Sequence, residues 1–224
     1  MDVLPKINIL YEDNHLLVVV KPANIPTCKD SSNDLDFLTI LKKYIKDKYH
    51  KPGNVYLGLV HRLDRPVEGI MVFAKTSKAA ERLTNQINNK QFIKTYYAVV
   101  DGVTKDKDTF KDYLIKNEKT NTSYVTSELK GKLSILEYTT ISTVKKLSLV
   151  KINLLTGRHH QIRVQFSSRS LPLYGDHKYN PKFINNNKEN IALIAKELSF
   201  YHPTTKELLH FEIDLPKKYP YDLF

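Results

Sequence analysis

Apolar positions along the 224-residue chain fall into short runs set apart by polar stretches. Residues 16–20, LLVVV, form an unbroken apolar strand, and Lys21-Pro22 ends it because proline cannot donate to a ladder. Between Asp34 and Tyr49, the residues Leu38, Leu41, Tyr44, Ile45 and Tyr49 recur every three or four positions, which predicts an amphipathic helix. Short apolar strands at 55–60 and 70–74 bracket a polar stretch at 61–69. Ser77 is placed to cap a helix that carries Ala79, Leu83 and Ile87 on one face. Residues 95–100 read as a strand closed by an Asp101-Gly102 turn, and 110–155 alternate enough for several strands. Thr156-Gly157 introduces a short helix over 159–166, and strands return at 191–195 and 208–215. The Asn-rich tract 185–187 with Lys188 reads as a polar surface loop. Strands spread along the chain with helices at intervals predict an α+β fold with a mixed, largely antiparallel central sheet and flanking helices. No repeat or long linker interrupts it, so residues 1–224 are expected to form a single domain.

Composition narrows this further. With 41% hydrophobic residues and only 17 Gly plus Pro, the chain is neither disordered nor collagen-like. The lone cysteine, Cys28, excludes an internal disulfide and fits a reducing compartment. No apolar run is long enough to span a bilayer and no secretory leader opens the chain, so a cytoplasmic protein with no membrane partner is expected. The formal charge of +11 is unevenly placed: residues 51–100 and 151–200 each carry +5. Two basic blocks favour a shared anionic partner, of which nucleic acid is the commonest.

The chemistry-bearing segments lie in those two blocks. LVHRLDRPVEGIMVFAKT, residues 59–76, sets Asp64 in a polar turn between apolar strands, with Arg62 and Arg65 beside it. TGRHHQIRVQF, residues 156–166, offers Arg158, His159, Gln161 and Arg163 on the expected helix. Between them KTYYAVVDG, residues 94–102, places two tyrosines in a strand, where alternation sends Tyr96 and Tyr97 to opposite faces.

HRLD followed by Gly69, then KTYYAVV, GRHHQIRV, YGDHKY and LSFYHPTTKE, in that order over nearly the whole chain, resembles the RluA-type family of RNA pseudouridine synthases. The resemblance implies the pseudouridine synthase fold with a central RNA-binding cleft. It also implies a cofactor-free isomerase that converts uridine to pseudouridine in ribosomal or transfer RNA. Two departures stand out. Val67-Glu68 occupies the place where the family commonly has Thr-Ser, and no N-terminal S4-like module precedes the first strand.

The chemistry accounts for a single aspartate. Breaking the bond from uracil nitrogen to the anomeric carbon builds oxocarbenium character, which one carboxylate can trap or stabilise. The base is retained and no water attacks, so no second carboxylate is needed. By resemblance Asp64 is the nucleophile, Arg163 its charge partner, and Tyr96 the residue that stacks on the uracil. Arg62 is then the residue that helps extrude the uridine. Arg65, Arg158, His159 and Gln161 are expected RNA contacts, and a monomer is expected. Two other classes compete with this reading. A metal-dependent hydrolase would draw on His61, Asp64, His159, His160 and His177, but no HExxH spacing is present, and adjacent His159 and His160 on a helix would diverge. No metal is therefore expected. A non-catalytic RNA-binding relative should have lost its nucleophile, and Asp64 is present.

Overall fold

The computed structural model describes residues 6–30, 32–184 and 189–224; the polar loop expected at 185–188 lies outside them. The chain forms two compact units, one reaching to Phe92 and completed by Glu197–Ile213, the other built from Ile93–Lys196 and Asp214–Phe224. The first holds β1 (Asn8–Glu12), β2 (Leu16–Lys21), α1 (Phe37–Lys48), β3 (Gly58–Leu59), β4 (Glu68–Ala74) and α2 (Ser77–Asn88). The second holds β5 (Ile93–Asp101), β6 (Lys107–Asn117), β7 (Thr122–Thr126), β8 (Lys132–Val144), β9 (Leu147–Leu154) and α3 (Gln161–Ser167). Residues 193–196 of β10 (Leu193–Tyr201) belong to the second unit; the rest joins the first, where it pairs with β11 (Leu208–Glu212). No helix among the described residues is long and apolar enough to cross a membrane.

In the first unit β2 pairs antiparallel with both β1 and β4, and β3 adds to β4. The unbroken apolar run of β2 follows from burial on both faces. Leu16 and Val18 pack with Ile70, Val72, Ala79, Leu83 and Phe200, the side that α2 covers. On the other face Phe73 meets Phe37 of α1 edge-on, ring centroids 6.2 Å apart. The first helix buries Phe37, Ile40, Leu41 and Ile45, a stripe rotated by about one position from that expected on Leu38 and Tyr44. Its cap is Asp36, whose carboxylate accepts the Thr39 N–H at 3.0 Å. Thr76, not Ser77, caps α2 by accepting the Ala79 N–H.

The second unit runs β5-β9-β8-β6-β7, each neighbour antiparallel. Here burial alternates along β6 and β8, as for a sheet with one packed and one solvated face. Phe110 and Tyr138 from that packed face and Phe166 from α3 form a triangle of rings 5.0–5.2 Å apart. Tyr96 lies opposite Ile152, and Ile152 opposite Tyr138, so Tyr96 shares the face that α3 covers.

Candidate active site

The loop between β3 and β4 carries HRLD. Leu63 is buried and gripped through its backbone: the Thr27 hydroxyl donates to the Leu63 carbonyl at 2.7 Å and accepts its N–H at 3.3 Å. One residue on, the Asp64 carbonyl accepts the Val67 N–H at 3.0 Å, closing a turn whose end is sealed by buried Val67. Lys21 completes the grip. Pairing of β2 with β4 sets Lys21 opposite Gly69, and its fully buried ammonium donates to the carbonyls of Pro22 at 2.8 Å and Arg65 at 3.1 Å. Burial pushes the Lys21 ammonium down to about 7, although the charges of Asp64 and Glu68 act to raise it. Asp64 thus stands half-buried on a turn pinned at Leu63 and Arg65.

The flanking arginines differ. Arg62 is exposed and has no hydrogen-bond or ion-pair partner among the described residues. Arg65 is clasped by Asp30 at 3.0 Å, by Asp34 and by Ser32. His61 turns inward, with Nε2 accepting the Val72 N–H at 3.1 Å and its ring edge-on to Phe92.

In the second unit the helix starts later than the sequence pattern suggests. His160 adopts a left-handed conformation, φ 54° and ψ 24°, so Arg158 and His159 sit in the turn before α3. The two histidine rings therefore stack at 3.7 Å instead of diverging around a helix. Gln161 is buried: its carbonyl oxygen accepts from Thr156 and from the Arg158 N–H, and its amide donates to Ile135 and Gln165. All four of its hydrogen-bonding positions are satisfied within the protein, which makes it the brace of the 156–158 turn. Arg158 is exposed, its Nε donating to the Leu133 carbonyl at 3.0 Å. His159 Nδ1 lies 2.8 Å from the Ser123 hydroxyl. His177 Nε2 is 2.6 Å from the Glu189 carbonyl.

Arg163 points inward from α3 and is 3% exposed. Its Nε and Nη2 donate at 2.8 and 2.7 Å to the two oxygens of Asp176, which is fully buried. Such a fork fixes both the position and the plane of the guanidinium. Just before Asp176 the chain passes against the Asn190 backbone, and Gly175, at φ +71°, leaves no room there for a Cβ. The Tyr179 ring lies against the guanidinium, 5.1 Å from centroid to Cζ. Tyr96 is buried in β5, while Tyr97 on the opposite face carries Lys196 and Lys151 over its ring at 5.2 and 5.7 Å.

Sequence reasoning missed Lys21, Asp176 and Tyr179. The signal for the last two lies in YGDHKY, one of the motifs that carry the family resemblance. Nothing in LLVVVKP marks its lysine as buried.

The profile of the RNA pseudouridylate synthase family matches residues 15–168. An RNA pseudouridine synthase of Aquifex aeolicus is 34% identical across 98% of this chain and 73% of its own. Ribosomal large subunit pseudouridine synthase C of Buchnera aphidicola is 34% identical across 89% of this chain and 64% of its own. The solved structure of human RNA pseudouridylate synthase domain containing 4 superposes with a TM-score of 0.77, covering 94% of this chain and 89% of that one at 22% identity, which speaks to the fold. With a family match over most of its length and relatives above 30% identity, the chain belongs to the RNA pseudouridylate synthase family, in its RluA-type branch of isomerases that act on RNA.

Proposed function

We propose that this chain isomerises uridine to pseudouridine in ribosomal RNA of the large subunit, with Asp64 as nucleophile and with the target base flipped out of its stack. The observation that carries the reading is the Asp64 turn, a carboxylate on a backbone pinned from both sides with the exposed Arg62 two residues before it. The substrate class rests on relatives named ribosomal large subunit pseudouridine synthases C and D.

In this reading the Asp64 carboxylate meets the anomeric carbon as the bond to uracil nitrogen breaks, the uracil turns, and carbon 5 forms the new bond. The new bond frees the Asp64 carboxylate; carbon 5 then loses its proton and N1 gains one, and the Tyr96 hydroxyl is the base proposed to take the first as its own proton passes on toward N1. Arg163 is proposed to pair with Asp64 and favour its ionised form. The Asp176 fork fixes the plane in which the Arg163 guanidinium is presented. Arg62 fills the gap left by the flipped base, where a planar cation stacks on neighbouring bases and contacts phosphate. Arg65, Arg158 and His159 contribute phosphate contacts, Arg65 only after exchanging Asp30 and Asp34 for phosphate.

Release of carbon-5 tritium from labelled large-subunit ribosomal RNA tests the activity. Asp64→Asn keeps shape and removes the charge. It is expected to lower turnover by at least about a thousandfold while RNA binding survives. Turnover within tenfold of wild type in that variant excludes Asp64 as nucleophile, and release from transfer RNA alone moves the substrate to that class.

A further inference from the structure

Asp176 grips the edge of Arg163, and a second set of contacts fixes its face. The Tyr179 ring lies against the guanidinium, and the Tyr179 N–H donates at 3.2 Å to the Asp176 oxygen that also receives Nη2. Its hydroxyl is 2.7 Å from the Ser123 backbone nitrogen and 2.8 Å from His160 Nδ1. The phenol oxygen accepts the Ser123 N–H, and with His160 protonated on Nε2 the phenol proton goes to Nδ1. A neutral His160 is what the surroundings enforce: burial first, then the charges of Arg163, His159 and Lys178, push it down to about 2 against the opposing pull of Asp176.

Ser123 belongs to β7, which among the described residues pairs only with β6. The outward N–H of such an edge strand is ordinarily left to water. Here it is spent on Tyr179, while the Ser123 hydroxyl reaches His159 and the Lys178 ammonium binds the Asn121 carbonyl at 2.7 Å. The 176–179 segment that holds Arg163 is therefore stitched to the turn and edge of the β6–β7 hairpin.

We propose that Tyr179 is a positioning residue for the isomerisation: its ring and hydroxyl lock the plane of Arg163 and tie that plane to the β6–β7 hairpin through Ser123 and His160. The inference rests on the catalytic role given to Arg163 above. Tyr179 touches no reacting atom in this scheme and acts only through the arginine.

The test compares Tyr179→Phe and Arg163→Lys in the full chain, alone and combined, on a ribosomal RNA that the wild type converts. Tyr179→Phe keeps the ring and loses the hydroxyl; turnover at saturating RNA is expected to fall about tenfold with KM within about twofold. In an Arg163→Lys background, adding Tyr179→Phe should cost less than about twofold, because the group it orients is gone. A full tenfold loss in that background, or no loss from Tyr179→Phe alone, overturns the proposal, since a merely structural tyrosine gives additive effects. If Arg163→Lys turns over too slowly to measure, the Nε–H proton of Arg163 decides by NMR. Its exchange with water should be about tenfold faster in Tyr179→Phe, and an unchanged rate overturns the proposal. Wild-type turnover in Arg163→Ala removes the catalytic reading of Arg163 instead, and is distinguished by leaving the NMR effect of Tyr179→Phe intact.

Discussion

Asp64 stands on a turn whose neighbours are gripped through main-chain atoms, whereas Arg163 is held by other side chains. Thr27 holds the amide and carbonyl of Leu63, and Lys21 holds the carbonyl of Arg65, whatever side chains those positions carry. The Arg163 pocket depends on the identity of Asp176 and Tyr179, and on a glycine at 175. The difference explains why one motif tolerates departure. Val67-Glu68 replaces the common Thr-Ser, yet the backbone turn closes on Asp64 and Val67 packs into the core. No such latitude exists for a carboxylate facing a buried guanidinium, because a lost partner leaves an uncompensated charge.

Substitutions in the two regions should separate accordingly. Asp176→Asn strands a buried arginine and is expected to cost about 3–5 kcal/mol of stability, read as a melting temperature roughly 10 °C lower. A loss below about 1 kcal/mol would mean that the pocket is also gripped through its backbone. Thr27→Val leaves the Leu63 amide and carbonyl unpaired, for about 1–3 kcal/mol in urea unfolding. Lys21 gives a dependence on pH. Its folded pKa is about 7 against an ordinary 10.5, so between those values the unfolded chain binds a proton that the folded chain releases. The cost of burying the charge is complete below pH 7 and relieved as pH rises through that window. Stability of the wild type relative to Lys21→Met should therefore climb between pH 7 and 9.5, by up to about 1 kcal/mol per pH unit; a flat difference excludes the buried ammonium. The smallest effect is expected from Glu68→Ser, within about 0.5 kcal/mol, because the turn is closed by main-chain atoms.

Much of the scaffold is legible in the sequence. The unbroken LLVVV run, the spacing in α1 and α2 and the alternation through β6 and β8 reflect burial directly. The HRLD and GRHHQIRV motifs bring forward Asp64 and Arg163. Helix onset at α3 was misread because His160 adopts a left-handed conformation usually left to glycine or asparagine, and tertiary contacts with Tyr179 favour it there. The internal role of Gln161 was hidden for the same reason: placed just after a left-handed residue, its side chain turns back to brace its own turn. Lys21 was missed because lysine is almost never fully buried, and only the carbonyls that converge on it reveal the site.

The core that packs behind β2 and β4 includes Leu198 and Phe200, side chains encoded more than a hundred residues after Phe92. During synthesis the ribosome delivers the first ninety-two residues as an incomplete body with an open apolar flank. At about 5–20 residues per second that flank waits roughly five to twenty seconds for its last strand. Vectorial folding of this chain thus reverses the usual order. The second unit emerges with nearly all of its strands, while the first, though translated earlier, closes only once its C-terminal strands leave the exit tunnel. A nascent chain arrested before residue 197 lacks Leu198 and Phe200 and leaves the apolar side of β2 and β4 that they pack against uncovered.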